Sequence, residues 1–73
     1  MKLPSDVSGA DLRKALEKFG FVFQRQKGSH MILLRETPYS RVVVPDHRRL
    51  RVGTLRQILH EAGLSVEQLK KLL

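Results

Sequence analysis

Two short stretches of this sequence carry residue types that can move protons and hold phosphate. The first is Lys27-Gly28-Ser29-His30. A glycine in a turn lets a phosphate come close to main-chain N–H groups. Ser29 adds a hydroxyl donor and Lys27 a positive charge. An imidazole accepts or donates a proton near neutral pH. RNA cleavage needs a base for the 2′-hydroxyl and cationic donors for the charged phosphorus centre, and the tetrapeptide holds one of each. An ordinary basic hairpin turn with an incidental histidine has the same composition, and taken alone the four residues default to it. The second stretch is Val44-Pro45-Asp46-His47. There His47 is either a second proton-transfer group or phosphate contact, or a loop residue hydrogen-bonded beside Pro45, and both readings stand. His60 reads more simply, as a cation at the C-terminal end of a helix, where the dipole favours it.

Other chemistries fit poorly. The three histidines are spaced 17 and then 13 residues apart, with no H-x-x-x-H pair and no cysteine, so no metal site is expected. Ser29 and His30 are adjacent and would point to opposite faces of a strand. No nucleophile-elbow sequence is present, which leaves a Ser-His-Asp hydrolase unsupported.

The remaining candidates are cations. Residues 25 to 56 hold eight Lys or Arg (Arg25, Lys27, Arg35, Arg41, Arg48, Arg49, Arg51 and Arg56) against Glu36 and Asp46. A charge run is usually a solvated surface, but a local excess of this size is what phosphate binding requires. Over the whole chain fourteen Lys and Arg face seven Asp and Glu, a net charge of +7. The natural partners of such a field are nucleic acid, an acidic protein or an anionic membrane. The few aromatics (Phe19, Phe21, Phe23 and Tyr39, with no Trp) argue against a platform for stacking single-stranded bases.

Length limits what can support these groups. The chain of 73 residues reads as one domain, residues 1–73, which buries only about 60% of the surface its unfolded form exposes. It has no room for a deep cofactor cavity, and none is expected. Disulfides and thiolate sites are excluded by composition. The longest apolar run, Met31 to Leu34, is too short to span a bilayer. Met1 to Asp6 have no apolar stretch of the secretory kind, so a cytoplasmic protein is expected.

The elements follow from periodicity. Ser8, with Asp11 three residues on, starts a helix whose stripe is Leu12, Ala15, Leu16 and Phe19, and Gly20 stops it. Phe21 to Gln26 and His30 to Arg35 predict a hairpin around a Lys27-Gly28-Ser29 turn. Thr37-Pro38-Tyr39-Ser40 predicts a second turn, and Arg41 to Val44 a third strand that Pro45 ends. Asp46 to Val52 reads as a loop. Thr54 is expected to cap a second helix with Leu55, Ile58, Leu59 and Ala62 inward, closed by Gly63. Ser65 and Gln68 form a capping box for a short tail that buries Leu69 and either Leu72 or Leu73. The fold class is α+β, a three-stranded antiparallel sheet with helices on one face.

Several segments, taken in order and spacing, resemble the HicA toxin family. They are Gly20-Phe21, Arg25-Gln26-Lys27-Gly28-Ser29-His30, Val44-Pro45-Asp46-His47, Gly53 to Leu59 and Ala62-Gly63-Leu64. The resemblance covers about Ser8 to Leu69. It implies a fold similar to the double-stranded RNA-binding domain, in the order α-β-β-β-α. It also implies a toxin that cleaves messenger RNA and is neutralised by an antitoxin, HicB. The family's catalytic residue is the histidine of its Gly-Ser-His motif, which His30 matches. Gly28 and Ser29 match the residues before it, and His47 matches the Pro-x-His position.

The leading expectation is a metal-independent endoribonuclease acting on mRNA. His30 is its proton-transfer group, and Arg25, Lys27, Gly28, Ser29, His47, Arg48, Arg49 and Arg51 meet the RNA. The alternatives are a non-catalytic RNA-binding module and an interaction protein whose basic face meets an acidic partner, because fold alone does not decide function.

Overall fold

The computed structural model describes residues 3–73. The order is α1 (Gly9–Lys18), β1 (Val22–Lys27), β2 (His30–Glu36), β3 (Tyr39–Pro45), α2 (Val52–Ala62) and α3 (Val66–Leu72). The strands form one antiparallel sheet in the order β1-β2-β3. This is the expected α+β architecture, with the short third helix as its tail.

Local chemistry sets the helix ends. The Ser8 side chain accepts from the Asp11 amide at 2.9 Å, and the Asp11 carboxylate accepts from the Ser8 amide at 3.3 Å. Ser65 and Gln68 make the same reciprocal pair before α3. Both satisfy amides that a helix start leaves without partners. Gly63 ends α2 in the left-handed conformation, at φ 73°.

Strand alternation sorts the side chains into two faces. Met31 lies across from Val44, Leu33 from Val42 and Arg35 from Ser40. Met31, Leu33, Val42 and Val44 are at most 2% exposed. They pack with Leu12, Ala15 and Leu16 of α1, Phe21, and Leu55, Ile58, Leu59 and Ala62 of α2. Ser40 is the buried polar residue of this face, and its hydroxyl donates to the Glu61 carbonyl at 2.7 Å. Leu69 of α3 is fully buried, Leu72 is partly buried against the core and Leu73 is half exposed.

Among the described residues no helix covers the other face. It carries His30 opposite Pro45, Ile32 opposite Val43, Leu34 opposite Arg41 and Glu36 opposite Tyr39. β1 contributes Lys27 opposite His30, Arg25 opposite Ile32 and Val22 opposite Leu34, with an irregularity between Phe23 and Arg25.

Several expectations need correction. Tyr39 and Ser40 belong to β3, not to a four-residue turn, because Tyr39 pairs with Glu36 and Ser40 with Arg35. Lys27 is the last residue of β1, so the first turn is only Gly28 and Ser29. Helix α2 begins at Val52, two residues before Thr54, with Arg51 at its N-cap and no side-chain cap bond. Phe19 is only partly buried. No helix among the described residues is long and apolar enough to cross a membrane.

Candidate functional site

The site is built on the turn between β1 and β2. Lys27 and His30 face each other as the closing pair of the hairpin, and Gly28 and Ser29 are the two residues between them. Gly28 has φ 59°, a left-handed conformation that glycine adopts without a steric cost. A side-chain carbon built there would meet nothing within 4 Å. The turn backbone is therefore open to a ligand from outside. Lys27, Gly28, Ser29 and His30 are all exposed. The strand pairing keeps Lys27 and His30 side by side on the uncovered face, a rigid placement for a cation and an imidazole.

The second motif arrives through β3. His30 lies across from Pro45, and the Asp46 amide donates to the Ser29 carbonyl at 2.6 Å. The two motifs thus meet at one end of the sheet. His47 follows at once, exposed, with its carbonyl accepting from the Gly9 amide at 2.8 Å. Pro45, His47, Arg49, Leu50, Arg51 and Thr54 line a groove of about 350 Å³. Two arginines and a histidine around a groove beside the first turn of α2 suit an anion, because the helix dipole acts in the same direction.

The other cations divide. Arg25 lies on the uncovered face, where it lines a shallow groove with Gln24, Ile32, Leu34, Tyr39 and Arg41. Arg48 is exposed in the loop. Arg49 pairs with Asp6 at 3.1 Å, but both side chains are at least 70% exposed. Such a pair contributes little and yields readily to another anion. Arg35 leaves the basic inventory. Its guanidinium stands 4.7 Å from the Phe21 ring centre and 5.3 Å from that of Phe19, and its Nε donates to the Pro38 carbonyl. His60 lies exposed in the last turn of α2, and its groove is lined by Leu3, Arg56, Leu59, Leu64, Ser65 and Val66, away from both motifs.

A family model described as the HicA toxin of bacterial toxin–antitoxin systems matches residues 9–64 of the 73. The chain belongs to the HicA toxin family. No curated protein sequence matches it significantly. As a HicA toxin it is the toxin member of a toxin–antitoxin pair, and an antitoxin partner follows in general terms. The match spans both motifs and covers α1, the three strands and α2. Among the described residues no three His, Cys, Asp or Glu side chains gather as a metal-ligand set. Two residues beside the HicA turn had no role in the sequence reading: Gln26 and Asp46. Both lie inside the segments that carry the resemblance, which was the available signal.

Proposed function

We propose that this HicA toxin is a metal-independent endoribonuclease that cleaves mRNA, with His30 as its catalytic residue. The observation that carries the reading is the Lys27–His30 pair closing an open Gly28–Ser29 turn. A phosphodiester seated on the turn amides lies beside a cation and an imidazole at once. His30 removes the 2′-hydroxyl proton, O2′ attacks phosphorus, and the bond to the 5′ oxygen breaks as that oxygen takes a proton. In the alternative course His30 supplies the leaving-group proton, and the 2′-hydroxyl proton passes to His47 or to water. Either course gives a 2′,3′-cyclic phosphate and a 5′-hydroxyl. Lys27, Arg25 and the Arg48, Arg49 and Arg51 cluster offset charge on the phosphate and fix the strand. Gly28 and Ser29 supply turn donors, and His47 a phosphate contact or a second proton-transfer group.

The proposed partner is a HicB-like antitoxin that covers the face bearing His30, in the cytoplasm where mRNA is found. The test is incubation of purified protein with a defined RNA in EDTA, with and without His30→Ala. Cleavage to cyclic phosphate ends by the wild type alone is the expected result. General acid–base catalysis is worth about 10² to 10⁴-fold, so the loss is easily read. Salt-dependent binding without cleavage means a non-catalytic RNA-binding module instead.

A further inference from the structure

We propose that Gln26 and Asp46 form a latch that positions the Gly28–Ser29 turn and, through it, His30. Both are then positioning residues, and their catalytic importance rests on the ribonuclease reading above. Nε2 of Gln26 donates to the Gly28 carbonyl at 3.0 Å and to Oδ2 of Asp46 at 3.1 Å. A carboxamide has two N–H bonds, and here each is used on one side of the gap between the turn and the loop after β3. The main chain crosses the same gap from the Asp46 amide to the Ser29 carbonyl.

The turn needs this support. Its residues are exposed, and nothing packs over Gly28. Among the described residues, these are the hydrogen bonds that hold it besides the strand ladder. The latch also grips from the far side. Gln26 lies across from Met31, whose side chain is buried on the helix-covered face, whereas Lys27 and His30 alternate to the uncovered one. Replacing Gln26 therefore removes no group that meets RNA. Asp46 points to the same conclusion, because a carboxylate beside a phosphate-binding turn opposes RNA by charge alone. Its value there is as the acceptor for Gln26.

Single-turnover and steady-state cleavage of a defined RNA test the latch in the full chain. Gln26→Leu and Asp46→Leu should each lower kcat by about 10- to 100-fold, the scale of a small misplacement of a reacting group. KM is compared in Gln26→Leu, which keeps the local charge, and should change less there than kcat does. The double variant should be no worse than Gln26→Leu alone, since that change already breaks the link to Asp46 as well as the bond to Gly28. Asp46→Asn keeps an acceptor and should stay near the wild-type kcat. Gln26→Glu has no donor and should fail, whereas adding Asp46→Asn reverses the polarity of the bond and should recover part of the rate. Amide ¹⁵N order parameters give a readout independent of activity. For Gly28 and Ser29 they should drop from about 0.85 toward 0.6 in the Leu variants, with melting temperature held. Wild-type kcat in both Leu variants overturns the positioning role, and unchanged order parameters overturn the latch itself. If the wild type cleaves no RNA, the ribonuclease reading falls with the positioning role, and the order parameters still decide the latch.

Discussion

The Gly9 amide donates to the His47 carbonyl at 2.8 Å, and the Gly9 α-carbon lies against the Pro45 main chain. The first turn of α1 thus sits directly on the loop that carries His47. A side chain at position 9 would collide with the Pro45 carbonyl oxygen, and main-chain atoms flanked by a strand cannot move aside cheaply. Gly9→Ala should therefore destabilise the fold, although alanine is the better helix former. Overpacking costs about 1–3 kcal/mol. In a domain of this size each kcal/mol lowers Tm by roughly 4–8 °C. Thermal melting checks this, and a Gly9→Ala protein as stable as the wild type would mean that the helix can shift off the loop.

RNA affinity should be governed by phosphate contacts made by the loop arginines. For single strands the slope of log affinity against log salt is about −0.7 per neutralised phosphate. Replacing Arg48, Arg49 and Arg51 together with Ala should flatten the slope by up to about 2 on that scale. Fluorescence anisotropy over a salt series measures it. An unchanged slope in a folded variant places the RNA elsewhere.

Arg35 should behave in the opposite way. It lies beside two aromatic rings and bonds the Pro38 carbonyl, so Arg35→Ala removes packing and a charge-assisted contact. A loss of about 1–2 kcal/mol in stability is expected, from a cation–π term of about 0.5–1 kcal/mol or more together with the hydrogen bond. The salt slope for RNA should stay that of the wild type. Denaturant unfolding and the same anisotropy series separate the two classes of arginine.

That contrast marks where sequence reading stops. The apolar stripes Leu12, Ala15, Leu16 and Leu55, Ile58, Leu59 were legible because burial repeats at the helical period. The two capping boxes were legible because they are local. The start of α2 was not, because Arg51 offers no capping side-chain bond and Thr54 was the nearest residue with the right chemistry. Tyr39 and Ser40 looked like turn residues beside Pro38, and only their pairing with Glu36 and Arg35 makes them strand. The segment Lys27 to His30 showed its chemistry, but the fact that Lys27 and His30 stand side by side depends on hairpin register. Arg35 and Arg41 looked equivalent in sequence. Strand alternation sends one to the aromatic rings of the covered side and the other to the uncovered face.

The antitoxin should bury that uncovered face. His30, Lys27 and Arg25 share it with Ile32, Leu34, Val43 and Tyr39, and Tyr39 and Val22 are 69% and 61% exposed. Exposed apolar side chains set among cations suit a protein that brings its own apolar contacts and acidic groups, since buried aromatic anchors carry most interface energy. Complementary charge also speeds the encounter. A second copy of this chain would set Arg25, Lys27 and Arg41 against like charges. Tyr39→Asp and Arg41→Glu should therefore each weaken antitoxin binding, through desolvation of a carboxylate at an apolar contact and through charge reversal. A central anchor is worth about 2 kcal/mol or more, which is roughly 30-fold in Kd. Neither residue lies in the Gly28–Ser29 turn, so the free toxin should still cleave RNA in both variants, with a higher KM in Arg41→Glu because Arg41 shares a groove with Arg25. Titration calorimetry with the antitoxin, beside a cleavage assay on the same preparations, reads both effects. Antitoxin affinity unchanged in both variants would show that it docks on the helix-covered side or at the loop, and that it silences the toxin without covering this face.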